Sequence, residues 1–440
     1  MTVIGLDDTD SRETGMCTTY AAHLVAERLR EAGAAVERLL LVRLNPAVEH
    51  KTRGNAALAV HTDAPVATAF AAARAVVEEH AETDDERTNP GLVVLPDDPD
   101  ATVGPRDALA RFARAAVREQ LTVADAEALL ALTGGESEGW GNGRGRIGAI
   151  AAVGAWAAFD EWTYEHIAYR EPSRWGTPRE VDADSLFEAA DSAYPTVWDT
   201  VDRGTGETVA VPHTPGPVLF GIRGDDRAAV ERVAAAIDAE PVAASETFVT
   251  NQGTDVHLGD GTVEGVLDGR AYRVTGEVVA PPETRRGGHV FVPLAGEGAT
   301  LQLAAFEPTK RFRDRVRALR PGDRVTACGE FSASTAGADA GADADSLRGT
   351  LKLEKFAVRS LDTTERVTPT CPDCDRRMES AGRGQGYRCR DCGTSADGKV
   401  ERAVDRAIEP GWYEVPPRAR RHVARPLVRG GFDAPTHPER

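Results

Sequence analysis

Over residues 1–60 the apolar and polar positions predict a strand, an acidic turn, a helix and two further strands. The stretch "VIGLDDTDSRETGMCTTYAAHL" (3–24) runs from an apolar strand through Asp7, Asp8 and Asp10 into a helical pattern that ends at Gly33. Strands follow in "VERLLLVRLNP" and "NAALAVHT". Helical patterns at 66–80 and 107–131 are separated by the loop "TDDERTNPG" and the short strand "LVVLP". This alternation predicts an α/β layer. After a glycine-rich segment (133–148), strands "GPVLFGIRG" and "ASETFVT" flank the helix "DRAAVERVAAAIDA", which suggests a small ferredoxin-like α+β unit. From residue 270 five β-patterned runs appear, with the short helix "KRFRDRVRAL" between the third and fourth, the order of an OB-fold barrel. The insert at 332–346, "STAGADAGADADS" at its core, is acidic and of low complexity, and is expected to be a disordered loop.

Composition changes the expected partners. The chain of 440 residues is long enough for several domains, and its 41% hydrophobic content suffices for ordinary cores. No apolar run approaches the roughly 18 residues of a membrane span. The first apolar stretch is broken by Asp7 and Asp8, unlike a signal peptide, so a cytosolic protein without a membrane partner is expected. Acidic residues number 70 against 52 basic, a net charge of −18, and only five of the basic residues are lysines. That balance fits a salt-rich cytoplasm or a GC-rich genome. It does not exclude RNA, because counterion release contributes little binding energy at high salt.

Two constellations carry chemistry. Cys371-x-x-Cys374 and Cys389-x-x-Cys392 have the spacing of a zinc ribbon, and four thiolates leave no open position for catalysis on the metal. The neighbouring Arg376 and Arg377 would suit an RNA backbone. In the opening turn, Asp7, Asp8 and Asp10 end a strand and precede a helix mouth, where carboxylates can hold Mg²⁺ and helix amides an anion. The plain alternative is an acidic turn with Thr18 as helix cap. No Walker or Rossmann fingerprint is present, so any ATP site is of another kind. Lys51, Arg53, Gly54 and Asn55 form a cation-bearing turn fit for phosphates, of ATP or of RNA. "TNPG" and "GNGRGRIG" are expected to offer mobile backbone near phosphates. Phe248, Asn251 and Gln252 in "FVTNQGTDVHL" are candidates to read a base.

Together "IGLDDTDSRETGMCTTY", "LVRLNPAVEHKTRGN", "NPG", "GRGRIGAIAAVGA", "YEHIAYR", "FVTNQGTDVHL" and the cysteine ribbon resemble the archaeal tRNA 2-agmatinylcytidine (agmatidine) synthetases, from residue 3 to about 392. The resemblance implies a kinase-like domain (1–135), a ferredoxin-like domain (136–262), an OB-fold domain (268–362) and a zinc ribbon with a basic tail (366–440). It implies an ATP-consuming ligase that replaces the C2 oxygen of the wobble cytidine in isoleucine tRNA with a CAU anticodon by agmatine, so that the tRNA reads AUA. ATP would be cleaved to AMP, with the γ-phosphate activating the base, and Mg²⁺ and structural Zn²⁺ would be required. Thr18 aligns with the family's autophosphorylated threonine, and Asp7, Asp8 and Asp10 with its acidic cluster. Glu136 and Glu138 are candidates for the agmatine guanidinium. The alternatives are a non-catalytic single-strand-binding protein, which leaves residues 1–258 without a role, and an ATP-dependent RNA kinase or ATPase that lacks the amine-transfer step.

Overall fold

Helix and strand alternate at the N-terminus as β1 (Thr2–Asp7), α1 (Thr18–Glu31), β2 (Val36–Arg43), β3 (Ala56–Thr62), α2 (Val66–His80) and β4 (Gly91–Pro96). These come from a computed structural model that describes residues 1–51, 54–96, 105–334 and 347–440. Arg53 and most of the acidic insert lie outside the described residues. Three helices, α3 (Pro105–Arg118), α4 (Val123–Thr133) and α5 (Gly145–Ala158), surround a short strand β5 (Glu136–Gly139). A second series follows: β6 (Thr163–Arg170), α6 (Ala183–Ala193), β7 (Val197–Trp198), β8 (Val218–Gly224), α7 (Arg227–Ala235) and β9 (Val242–Thr250).

One nine-stranded sheet contains both series, in the order β5-β4-β1-β3-β2-β9-β6-β8-β7. Each series is a βαββαβ unit whose strands lie fourth, first, third, second, so the same topology occurs twice side by side. Among the described residues the only parallel pairing in this sheet is the seam between them, where Leu40 and Leu41 of β2 meet Val249 and Thr250 of β9. A boundary at 135/136 does not divide the architecture, because β5 pairs with β4 and α5 packs on the first unit. Helices α1 and α2 cover one face of that unit through Ala22, Val25 and Val76, and α3 to α5 cover the other through Ala113, Ile150 and Ala152.

The contact of α5 with the sheet is unusually close, and glycine is its cause. A Cβ on Gly5 of β1 would lie 2.0 Å from the carbonyl oxygen of Ala149, and one on Gly91 of β4 would lie 2.0 Å from the backbone of Gly145. On the helix side, a Cβ on Gly148 would fall 1.9 Å from a carboxylate oxygen of Asp7. The segment expected to be mobile near phosphates is therefore, from Gly145 onward, a buried helix start. Its glycines let backbone meet backbone instead of supplying flexibility.

Strands Arg270–Val278, Val290–Ala295, Thr300–Ala305, Arg324–Ala333 and Leu347–Ser360 close on themselves. The first pairs with the second and fourth, the third with the second and fifth, and the fourth with the fifth. Helix α8 (Phe312–Arg317) lies between the third and fourth, and Phe312, Phe331 and Phe356 fill the interior. The cysteine-bearing segment forms its own small sheets. The basic tail departs from the expected ribbon. Strand Gly411–Glu414 pairs with Leu347–Ser360, adding to the barrel sheet, and the chain then runs back toward the first two units. Among the described residues no helix is long and apolar enough to cross a membrane.

Gly5→Ala forces a methyl into a backbone carbonyl and is expected to cost about 1–3 kcal/mol or more in chemical denaturation. Gly398→Ala, with nothing within 4 Å of its added Cβ, is expected to leave the midpoint unchanged.

Candidate active site

The acidic turn is built by two segments far apart in sequence. Asp8 sits at φ +58°, a left-handed conformation that turns the chain sharply out of β1. Its carboxylate accepts from the backbone N–H of Asn89 at 3.0 Å and from Arg144 Nε at 3.1 Å. Asn89 in turn accepts from the Asn142 N–H at 2.9 Å, Thr88 donates to the Asp10 carbonyl at 2.8 Å, and Ser11 donates to Asp85 at 2.7 Å. The loop "TDDERTNPG" is thus the brace of the turn. Asp7 is partly buried at the cavity wall, and desolvation together with the charges of Asp8 and Asp10 pushes its carboxyl well above the usual aspartate range. Its Oδ1 accepts the Asp8 N–H at 2.8 Å.

Helix α1 begins at Thr18 with Cys17, not Thr18, in the cap position. The Thr18 hydroxyl is instead bonded to Thr9 Oγ1 at 3.1 Å and is almost fully buried. Its first-turn amides, without helical acceptors, stand at the positive end of the helix dipole. Asp7, Asp8, Asp10, Cys17, Thr18 and Thr19 all line one cavity of about 910 Å³.

That cavity extends across the seam of the sheet. Its other wall holds Arg43 from the end of β2, Glu165 from β6 and Arg223 from β8, joined by Arg418, Arg420 and His422 of the tail. Glu165 meets Arg223 at 3.0 Å and Arg43 at 3.9 Å, and the two guanidiniums hold its carboxyl below the usual range against full burial. Gln252 donates to the same carboxylate. The side chain of Asn251 spans the seam: it accepts from the Arg43 N–H at 2.7 Å and donates to the Arg43 carbonyl at 3.0 Å. The expectation that Phe248, Asn251 and Gln252 read a base is corrected here. All three are completely buried, Phe248 in the core and the two amides as braces of the charged wall.

Lys51, Gly54 and Asn55 line the cavity as well. The Lys51 ammonium is held by the carbonyls of Pro46 and Val48, the latter at 2.9 Å, and burial lowers its pKa. Glu136 and Glu138 do not line it. They lie on β5, with Glu138 bonded to Arg74 at 2.7 Å on the outside of the sheet, so the agmatine assignment made for them has no geometric support. Residues 136–139 are a strand, not part of the glycine-rich loop that suggested the assignment.

Among the described residues, the four cysteines are the only group of three or more potential ligands whose atoms converge, all lying within 4.8 Å of one another. Zinc held by four thiolates at about 2.3 Å places the sulfurs about 3.8 Å apart, so this donor set fits it. Arg376 is paired with Asp391 at 2.7 Å, and both Arg376 and Arg377 are exposed on the ribbon. The three aspartates do not converge in this way. Mg²⁺, which needs only one or two carboxylates when phosphates complete its shell, fits the crowded, partly uncompensated Asp7 and its neighbour Asp8.

Arg43, Glu165 and Arg223 were missed in the sequence; Arg223 is the one charge in the apolar strand "VLFGIRG", and Arg43 ends the apolar run "LLLVR", while Glu165 in "TYEHIAYR" has no such mark. Arg144 was also missed, as were Arg418, Arg420 and His422, and no local pattern marks the tail as part of a site.

Comparison with known proteins agrees with this architecture. Models described as the TiaS TCKD domain, the TiaS FLD domain and the TiaS C-terminal zinc ribbon domain match residues 3–66, 143–257 and 368–408. The isoleucine tRNA 2-agmatinylcytidine synthetase TiaS of Haloquadratum walsbyi is 52% identical over 100% of both chains. That of Methanosarcina mazei is 46% identical over 97% of each. A crystal structure of TiaS in complex with its isoleucine tRNA and ATP superposes with a TM-score of 0.86 at 39% identity, covering 100% of this chain and 99% of that one. The complex of TiaS with the same tRNA, AMPCPP and agmatine gives 0.83 at 38%, with the same coverage. With relatives this similar along its whole length, the chain belongs to the isoleucine tRNA 2-agmatinylcytidine synthetase family.

Proposed function

We propose that this protein is the ATP-dependent ligase that converts the wobble cytidine of isoleucine tRNA with a CAU anticodon to 2-agmatinylcytidine. The observation that carries the reading is the single cavity in which the aspartate turn and the mouth of α1 face an arginine-rich wall, within a chain that matches the family from end to end. A carbonyl oxygen flanked by ring nitrogens is a poor leaving group. The C2 oxygen therefore attacks the γ-phosphorus of ATP, and the bond to the departing nucleotide breaks. The agmatine amine then adds to C2, loses a proton, and phosphate leaves carrying the former carbonyl oxygen.

The residues divide this work by chemistry. Asp7 and Asp8, with Asp10 beside them, would hold Mg²⁺, which neutralises charge on the polyphosphate. Arg144 and the first-turn amides of α1 orient phosphoryl oxygens, and positioning of this sort is the main source of phosphoryl-transfer catalysis. Thr18, at the same helix mouth, is the hydroxyl that takes the β-phosphoryl group as the departing ADP goes on to AMP, and water then cleaves the phosphothreonine to free phosphate. Lys51, with Gly54 and Asn55, borders the nucleotide or the RNA backbone. In this reading the first unit is the kinase-like domain, the second βαββαβ unit is ferredoxin-like and the closed barrel is an OB-fold. The barrel and the zinc-held ribbon, with Arg376 and Arg377 exposed, grip the anticodon stem and loop. The target base lies in a loop, so extruding it costs less than from a duplex. A tRNA modification of this kind places the protein in the cytoplasm.

Incubation with ATP, Mg²⁺, agmatine and isoleucine tRNA, followed by nucleoside mass spectrometry, is expected to show cytidine gaining agmatine less one water. RNA binding without ATP turnover, or ATP turnover without amine incorporation, would contradict the reading. Thr18→Ala is expected to abolish modification while zinc content and tRNA affinity stay within about twofold, a small fraction of a tenfold step. Asp7→Asn should raise the thermal midpoint at neutral pH. The folded-state pKa of Asp7 lies above its unfolded value, so its ionised form opposes folding, and wild-type stability falls as pH rises through the raised value. The variant removes that loss, and it should also lose the stabilisation by Mg²⁺ plus ATP that wild type shows. Zinc chelation is expected to weaken tRNA binding while leaving the affinity for an ATP analogue unchanged.

A further inference from the structure

The arginine wall across the seam has chemistry that the aspartate turn does not use. Arg43, Arg223, Arg420 and His422 line the cavity, and Glu165 is the carboxylate among them. The carboxylates that balance Arg420, Asp199 at 2.8 Å and the buried Glu414, do not line the cavity. Countercharge is thus stored behind the wall, and the face turned to the cavity is positive. The Nε atoms of Arg43 and Arg223 are buried and make no hydrogen bond. His422 stands close enough to both guanidiniums that its protonated form is disfavoured, and the histidine stays neutral. Each arginine side chain is at most 13% exposed, so the wall suits a small anion better than a polymer.

Position adds a second argument. Cys17 and Thr18 line the same cavity as Arg43, so the wall shares that space with the mouth of α1. An anion leaving the phosphoryl-transfer end would meet these guanidiniums next.

We infer that Arg43, Arg223 and Arg420, with His422, form a second oxyanion pocket that takes phosphate released from the nucleotide, apart from the Asp7–Thr18 end, and pyrophosphate is the probe for it. This rests on the reading of the chain as ATP-consuming. Binding requires no covalent step. Arg223 and Arg43 donate to phosphoryl oxygens, Glu165 holds the two forks in register by competing for them, and neutral His422 adds a further donor.

The test is calorimetric titration of inorganic pyrophosphate, and separately of a non-hydrolysable ATP analogue, into the full-length zinc-loaded protein. Arg223→Gln is expected to weaken pyrophosphate about tenfold or more, the loss of a charge-assisted bidentate donor. Glu165→Gln keeps the shape, removes the competing charge, and is expected to tighten pyrophosphate about threefold or more. A purely structural cluster would make both variants bind more weakly, with lowered thermal midpoints, and that result overturns the pocket. Unchanged pyrophosphate binding in Arg223→Gln also overturns it, including the case in which tRNA affinity falls instead and the wall proves to be an RNA-backbone contact. If wild type binds neither the analogue nor pyrophosphate, the nucleotide reading itself fails. If it binds the analogue normally and the variants leave pyrophosphate unaffected, only the pocket fails.

Discussion

The close contact between α5 and the first sheet is what the rest of the site depends on. Four glycines, Gly5 and Gly91 on the strands and Gly145 and Gly148 on the helix, leave no Cβ where the backbones approach most closely. The helix can then lie so near β1 that Gly148 touches the Asp7 carboxylate, which holds that group in a place too apolar for its charge. The same docking carries Arg144, the residue before the helix, to Asp8, and Asn142 to Asn89. Packing density in one layer thereby sets both the geometry and the electrostatics of the turn. A site on a freely mobile glycine loop could not impose either, since its amides would be reorganised by each ligand.

Much of the architecture was legible in the chain, and the gaps have physical causes. The first three strands and two helices, strands β8 and β9 with the helix between them, the five barrel runs and the short helix before the fourth appear where periodicity predicts them, whereas the pattern read over 107–131 is two helices broken at 119–122. The cysteine spacing was enough to bring four sulfurs together. What could not be read was long-range. Nothing local tells that "FVTNQGTD" closes a seam, since amides suited to a base edge are equally suited to bracing a backbone. The glycines of 141–148 read as flexible because a glycine needed for close approach and one needed for mobility look alike in sequence. Glu136 and Glu138 were drawn toward the site by that misreading. The tail was invisible as a cavity wall because its partners are other segments' carboxylates.

Charge pairing explains how an acidic chain can keep a cationic wall. Its arginines near the site are held by carboxylates set behind or beside them: Arg144 by Asp8, Arg223 by Glu165, Arg420 by Asp199 and Glu414, Arg421 by Glu330 and Glu354. Pairs buried in this way are screened by salt far less than exposed ones. The surface can then carry the excess of negative charge while the cavity retains the opposite field. The scarce lysines follow the same pattern, with Lys355 buried against Asp255 and Lys352 paired with Glu330.

The cavity is lined by residues 7–19 at one extreme of the sequence and 417–422 at the other. Loop closure over so long a separation comes late in folding. A chain still emerging from the ribosome can form its first sheet and dock α5, but it cannot complete this cavity until the ribbon and barrel have been made and the tail has folded back. Synthesis itself therefore withholds the activity from every unfinished copy, and a premature stop after the ribbon would leave a metal-binding protein with an open, incomplete cavity.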